Sequence, residues 1–386
     1  MSPILFATIG DPTNYQMVKY SIQGKEKESK ISFLALKELL ASQMKTVAII
    51  GISTAATLQC DCNDYQSCSE CIIKKAKEDH GVIADEYIVA PNIYKNFKSK
   101  PDYYLSYVYY KSLKILEREK PDEVYLDTTH GVNYMPILGK DALLLATSAY
   151  SARHEKSVAF KMYNSDPVIK GIAGPYELHV MESINITPLS GLKHVTTQIL
   201  NREKNSFQSV RKIIDVDKLY KIARGLDNGL FVYFVDKSEE IEELMKKFDT
   251  DEEVKVDISE GKVITSRYKD VSYALAHALL YVSLRFKRDG ECLDLGALED
   301  LARKYTDAVT STIIRNEIDN IGDVKENIKN ERKLLRDVFG SQEGGFDKRI
   351  LYAHGGLPYA GTYVYEYNGK ICVSYGDKIG KIEEQM

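Results

Sequence analysis

The sequence is poor in the features that mark membrane and exported proteins. Its 386 residues include no tryptophan and no apolar run near the roughly 20 residues that a membrane-spanning helix needs. The segment Met1 to Gly10 lacks the basic start of a signal peptide. We therefore expect a cytoplasmic protein with no membrane partner. The chain does hold 27 tyrosines, but tyrosine is mostly a packing residue, so this number predicts no function.

Several common catalytic signatures are missing as well. The H-E-x-x-H, G-x-S-x-G and P-loop patterns are absent, and no G-x-G-x-x-G fingerprint follows the first predicted strand. These absences argue against a zincin, a serine hydrolase of that type and an ordinary NAD enzyme, and no catalytic cofactor is expected. The formal net charge of −4 shows no whole-chain preference for nucleic acid. Any contact with RNA or DNA must come from a local site.

The first half of the chain alternates short apolar runs with helical patterns. Strands are predicted at residues 4–9, 47–52, 87–90, 124–127 and 158–163. Helices are predicted between them, for example at residues 102–119 and 137–153. This alternation is typical of an α/β fold with a largely parallel sheet that is covered on both faces.

The composition changes near residue 185. Residues 186–191 have the composition of a linker, and the sequence after them is mainly helical until a β-hairpin that turns at Asn368-Gly369. We predict an α/β domain at residues 1–185, a helical connector at 186–265 that can belong to the next domain, and a mainly α domain with a terminal hairpin at 266–386.

Polar loops follow three of the predicted strands. Because ligands of parallel sheets bind at the carboxyl ends of the strands, the loops at residues 10–15, 53–57 and 127–136 predict a shared crevice. On the first two loops the candidate contacts are Asp11, Thr13, Asn14, Ser53 and Thr54. On the third, Asp127-Thr128-Thr129-His130-Gly131-Val132-Asn133 combines hydroxyls, an imidazole and a glycine before a helix, a pattern suited to an anion. The alternative is a polar turn that only caps the helix.

Four cysteines cluster between the second and third strands. Cys60, Cys62, Cys68 and Cys71 could bind a structural zinc ion or form two disulfides. Either role would staple a surface loop rather than perform catalysis. Cys292 and Cys372 stand alone, and we expect them to be small core residues.

One arginine and histidine pair near the end of the chain suits phosphodiester chemistry. Arg349 and His354 form an R-x4-H pattern followed by two glycines. Histidine can transfer a proton near neutral pH, and arginine can hold a phosphate with two hydrogen bonds. A helix end or a second copy across a dimer axis could bring the two side chains together.

Taken together, these two constellations resemble the CARF–HEPN ribonucleases of type III CRISPR systems. The loop at residues 127–133 is similar to the ligand loop of CARF domains, which are Rossmann-like, and Arg349 to His354 is similar to the R-x4–6-H motif of HEPN domains. The resemblance implies a cyclic oligoadenylate ligand, most commonly cyclic tetra-adenylate. It assigns the first contacts to Thr128, Thr129, His130, Gly131 and Asn133.

The resemblance also implies an activity. Ligand binding to a homodimer, or to a larger oligomer built from it, would release metal-independent cleavage of single-stranded RNA in antiviral defence. The HEPN site would combine Arg349 and His354 of both copies and leave 2′,3′-cyclic phosphates. The sequence departs from the family at Ile350, where a polar residue is common. Weaker catalysis, or a polar contact supplied from elsewhere, would follow.

Two other functions are compatible with the same residues. The protein could be a CARF regulator that senses the nucleotide and then binds DNA or a protein partner without cleavage. Against this, no clustered basic recognition helix is present. The sensor domain could also degrade its own ligand, with His130 as the only evident general base of its loop.

Overall fold

A computed structural model describes residues 2–40, 43–169, 171–172, 174–248, 253–259, 263–288, 292–342 and 344–386. Its strands are β1 Ile4–Ile9, β2 Val18–Ile22, β3 Lys25–Ser29, β4 Lys45–Gly51, β5 Glu86–Ala90, β6 Phe97–Lys98, β7 Glu123–His130, β8 Val158–Ser165, β9 Tyr176–Ile186, β10 Lys255–Ser259, β11 Val263–Arg267, β12 Leu293–Asp294, β13 Lys333–Leu334, β14 Tyr363–Tyr367 and β15 Lys370–Ser374. Its α-helices are α1 Ser32–Leu40, α2 Tyr65–Glu78, α3 Pro101–Glu119, α4 Met135–His154, α5 Pro188–Leu200, α6 Val216–Asp227, α7 Phe231–Asp236, α8 Ser238–Phe248, α9 Val271–Ser283, α10 Leu295–Tyr305, α11 Ala308–Asp323, α12 Leu335–Phe339, α13 Lys348–Ala353 and α14 Ile379–Gln385.

The chain divides into two compact units. The first comprises residues 1–150, 156–186 and 251–274, and the second comprises residues 151–155, 187–250 and 275–386. The second segment of the first unit ends at residue 186, and the predicted boundary of the α/β domain is residue 185. The division differs from the predicted connector at 186–265, because β11 pairs in parallel with β6 and so places its own segment in the first unit.

The first unit is built on the expected largely parallel sheet. Its described strands run in the order β3-β2-β9-β8-β7-β1-β4-β5. The five strands from β8 to β5 pair in parallel, whereas β8–β9 and β2–β3 pair antiparallel. Every residue of β1 is buried, as its uninterrupted apolar sequence predicts for a central strand. The prediction missed the β2–β3 hairpin, whose second strand is largely charged.

The second unit is mainly helical and ends in the predicted hairpin. Strands β14 and β15 pair antiparallel around Asn368 and Gly369, both of which have positive φ angles, of 50° and 75°. The predicted linker at residues 186–191 is wrong, because β9 ends at Ile186 and α5 begins at Pro188. Thr187 and Ser190 form a reciprocal capping box with Pro188 in the first turn, so this polar stretch begins α5.

The cysteines are paired. Disulfides join Cys60 to Cys71 and Cys62 to Cys68, which is one of the two predicted outcomes for this cluster. The prediction for Cys292 and Cys372 is wrong, because a third disulfide joins them. Cys372 lies opposite Asp294 in the β12–β15 pair, and Cys292 comes just before β12. The antiparallel register therefore brings together two thiols that are 80 residues apart in sequence.

Two features are absent from the residues that the structure describes. None of the helices there combines the length and apolar composition needed to cross a bilayer. Within the same residues, no group of three or more histidine, cysteine, aspartate or glutamate side chains could hold a metal ion.

Candidate functional site

Asp127 organises the end of β7 in the first unit. The strand continues to His130, three residues beyond its predicted end, and its register against β1 shifts between Ala7 and Ile9. Such a bulge redirects side chains at the end of a strand. The Asp127 carboxylate is buried, and it accepts hydrogen bonds from the Thr129 N–H at 2.9 Å and from the Ser32 hydroxyl. It thereby fixes the start of the ligand loop against α1.

His130 is held as a neutral imidazole. Its ring stacks on Tyr15 with centroids 4.1 Å apart, and its Nε2 accepts the Ser32 N–H at 3.1 Å. Burial lowers the pKa of His130, although the Asp127 charge opposes that shift. A ring nitrogen that accepts a hydrogen bond from a backbone N–H carries no proton. The hydrogen bond from Ser32 and the lowered pKa therefore both indicate a neutral ring.

Tyr15 joins the first predicted loop to the third. Its hydroxyl accepts the Gly10 N–H at 3.0 Å and lies 3.4 Å from the His130 carbonyl oxygen, to which it donates. Burial raises the pKa of Tyr15 far above its ordinary value, so the hydroxyl keeps the proton that it donates. The two loops therefore meet at the carboxyl edge of the sheet, as the crevice argument predicts.

The glycine of the loop is needed for contacts within the protein. A Cβ atom at Gly131 would lie 2.4 Å from Pro136 Cγ and 2.6 Å from Thr8 Oγ1. No larger residue fits there without a shift of the loop. Because Gly131 has no side chain, Pro136 and Thr8 can pack closely against its backbone.

A cavity of about 320 Å³ opens beside these loops. Its walls are mainly polar, with two tyrosines and one lysine. The lining residues are Asn14, Tyr15, Gln16, Tyr20, Lys30, Thr129, His130, Asn164, Ser165, Asp166, Pro167 and Val168. A volume of this size lies at the lower end of the usual range for small-molecule sites.

Three of the predicted contacts, Asn14, Thr129 and His130, line this cavity. Asp11 organises the first loop, since its carboxylate accepts the Thr13 N–H at 3.1 Å and the Asn14 amide at 3.0 Å. Asp11 thus holds Asn14 in place, and neither Asp11 nor Thr13 lines the cavity.

The other predicted contacts lie outside the lining. Thr128 is buried and donates to the Tyr163 carbonyl at 2.9 Å. Ser53 and Thr54 are also buried: the Ser53 N–H bonds Asn92, and the Thr54 hydroxyl lies 3.4 Å from the Gly10 carbonyl. Asn133 is exposed, with a φ of 52°. These positions support the loops, and their role as ligand contacts stays a prediction.

Sequence reasoning missed one whole wall of the cavity. Asn164, Ser165 and Asp166 occupy the end of β8 and the loop after it, and the Ser165 N–H donates to Thr129 Oγ1 at 3.0 Å. This loop also follows the carboxyl end of a parallel strand, so the sequence would have allowed the same prediction for Asn164, Ser165 and Asp166. Tyr20 and Lys30 come from β2 and the end of the β2–β3 hairpin, which gave no recognisable strand signal.

The arginine and histidine motif lies in the second unit, on the short helix α13. Asp347 caps this helix by accepting the Ile350 N–H at 2.9 Å, and His354 is the residue that ends it. The Nδ1 atom of His354 lies 2.9 Å from Oε1 of Glu317 on α11. Arg349 is exposed and makes no hydrogen bond or ion pair with the described residues. Ile350 is half-buried.

One glycine, Gly355, docks the end of α13 on α11. Gly355 has a φ of 56°, and a Cβ there would lie 2.6 Å from Ile314 Cγ1. Ile314 is on α11, one turn before Glu317. The turn after His354 therefore sits directly on the helix that supplies its carboxylate partner.

The two units define a class of protein that combines a Rossmann-like sheet, with a cavity at its strand ends, and a helical unit with an R-x4-H motif. Residues 4–167 match the family model of the CARF domain of the CRISPR system endoribonuclease Csx1. Residues 307–378 match the model of the HEPN domain of the same family. The chain belongs to the CARF–HEPN family of CRISPR-associated proteins.

A curated relative supports this assignment. The chain is 26% identical over 249 residues to the CRISPR system endoribonuclease Csx1 of Methanocaldococcus jannaschii, a match that covers 60% of the chain and 52% of the relative. The chain thus spans about half the length of the curated relative that it matches.

Proposed function

We propose that the protein is a type III CRISPR ancillary endoribonuclease that cyclic oligoadenylate activates. The observation that carries the proposal is His354, which is anchored to α11 inside the HEPN match and lies five residues after an exposed arginine. The same chain carries a polar cavity at the strand ends of its CARF match. One site would receive the signal and the other would cut RNA.

The proposed reaction is an internal transesterification that needs no metal. His354 takes the proton of a ribose 2′-hydroxyl, and the 2′-oxygen forms a bond to the adjacent phosphorus. The bond from phosphorus to the 5′-oxygen breaks, and this oxygen leaves with a proton from a second acid, for which the partner copy's histidine is suited. Arg349 stabilises the charge on the phosphorane. The products are a 2′,3′-cyclic phosphate and a 5′-hydroxyl.

The cavity suits part of a cyclic nucleotide. Tyr15 offers a ring surface to a base, while Lys30 and the Thr129 hydroxyl offer a charge and a donor to phosphate. One chain supplies a single cavity of about 320 Å³. Two copies of the chain on a two-fold axis would place two such cavities around one ligand, and the two-fold symmetry favours an even-numbered ring.

An exposed apolar patch on the first unit supports a homodimer. Lys140 of α4 pairs with Glu182 of β9 at 2.6 Å. Beside this pair lie Ile137, one turn earlier on α4, and Ile184, two residues later on β9. Their exposed fractions are 66% and 36%. A patch of this kind is typical of a surface that a partner covers, and we assign it to the second copy.

The decisive experiment incubates labelled single-stranded RNA with the protein in EDTA, with and without cyclic tetra-adenylate. We expect cleavage only with the activator, products that end in a cyclic phosphate, and loss of cleavage in His354→Ala. Full activity of that variant would refute the site. Tight ligand binding without cleavage by the wild-type protein would instead favour a CARF regulator that acts on DNA or a protein partner.

A further inference from the structure

Glu317 is a buried carboxylate with a single partner at the proposed catalytic histidine. Its side chain is only 10% exposed, and Oε1 lies 2.9 Å from His354 Nδ1. Within the described residues, its second oxygen is also buried and meets no donor. Burial deprives a carboxylate of its hydration, which costs free energy, so the group needs a strong hydrogen-bond donor or a positive charge nearby. The imidazole of His354 is the group placed to provide it.

The histidine ring is restrained on its other side as well. The Tyr359 ring lies 4.8 Å from the His354 ring at 52°, and Phe339 stacks on Tyr359 at 4.8 Å. The His354 side chain nevertheless remains 30% exposed. Since Nδ1 faces the buried Glu317, Nε2 is the nitrogen that remains available to a substrate.

We infer that Glu317 is a positioning residue for RNA cleavage and acts through His354. As an acceptor, it holds the proton on Nδ1 and leaves the Nε2 lone pair to receive the 2′-hydroxyl proton. After that transfer, its charge lies beside the new imidazolium and stabilises it. This is the relation between an aspartate and a histidine in hydrolase triads, here built on two helices. The inference rests on the proposed function, because His354 must be the proton acceptor.

The test replaces Glu317 without a change of size. We expect Glu317→Gln to lower the rate of activated single-turnover cleavage by on the order of 100-fold at saturating RNA, with little change in KM. The matched control is Asp319→Asn on the same helix, which removes an equal charge from an exposed position and should cleave like the wild type. Thermal melting shows that each variant is folded.

A second measurement separates positioning from mere support of the fold. The 15N shifts of the His354 ring should show the proton on Nδ1 in the wild type and a mixture of tautomers in Glu317→Gln. In addition, Glu317→Gln should cause no further loss when it is combined with His354→Ala. A wild-type rate in Glu317→Gln, an unchanged tautomer, or a double variant slower than His354→Ala would overturn the inference. The failure of His354→Ala to lose activity would instead refute the proposed function itself.

Discussion

At the scale of single residues, His130 makes the first unit sensitive to acid. Its Nε2 accepts the Ser32 N–H, and that bond is lost when the ring is protonated. Because burial lowers the pKa of His130 in the folded state, the unfolded chain binds the proton more readily. Stability is therefore fully present above the unfolded value of about 6.5 and falls as the pH drops below it.

The direction of this pH dependence of stability gives a measurable prediction. Between pH 7.5 and 5.5, the wild-type protein should lose stability more steeply than His130→Gln, whose amide oxygen can accept the same N–H. The limit for one group is about 1.4 kcal/mol per pH unit. Denaturant unfolding at a series of pH values and matched ionic strength measures the difference. Equal pH slopes in the two proteins would show that His130 does not control this behaviour.

The residues also show what sequence patterns can predict about a site. Thr129 and Thr128 are neighbours of the same type, yet one lines the cavity and the other bonds Tyr163 inside the sheet. Both residues lie where the register of β7 against β1 shifts. The sequence pattern predicted polar residues at the end of β7 but ended the strand at residue 127 instead of His130. The bulge depends on the pairing with β1, which no local pattern contains.

At the scale of elements, the predictable parts were those with a strong local signal. The buried runs of β1 and β4 and the Asn368-Gly369 turn were confirmed, because uninterrupted apolar residues and turn residues determine them locally. The charged strand β3 and the disulfide between Cys292 and Cys372 were not predicted. Both depend on partners distant in the sequence or on a neighbouring strand.

The junction between α13 and α11 offers the second prediction. Gly355→Ala forces a side chain into a positive φ and against Ile314, so we expect a loss of about 2–3 kcal/mol in the free energy of unfolding of the second unit. The same shift should move His354 away from Glu317 and lower RNA cleavage. Gly345→Ala is the control, since a Cβ there would meet nothing within 4 Å. Denaturant unfolding and the activated cleavage assay measure the two effects, and equal stability of both variants would contradict the prediction.

At the scale of the whole molecule, the proposed switch depends on two copies. One copy of the chain supplies a single cavity of about 320 Å³ to the proposed ligand. A single R-x4-H motif supplies one histidine where the reaction uses both a base and an acid. The same two-fold axis would complete both sites, so ligand binding and RNA cleavage should fail together when the dimer is broken.

Ile137 allows this coupling to be tested away from either site. It is 66% exposed in the proposed dimer patch, and it neither lines the cavity nor belongs to the second unit. Ile137→Glu would force a charge into an apolar contact between the two copies. We therefore expect monomers in analytical ultracentrifugation. The activator concentration needed for cleavage should rise at least 10-fold, and maximal cleavage should fall. Ile83→Glu is the matched control, because Ile83 is 59% exposed elsewhere on the first unit and should tolerate the charge. A monomeric Ile137→Glu that binds cyclic tetra-adenylate and cuts RNA like the wild type would show that each chain senses and cleaves alone, and the two-fold model would have to be abandoned.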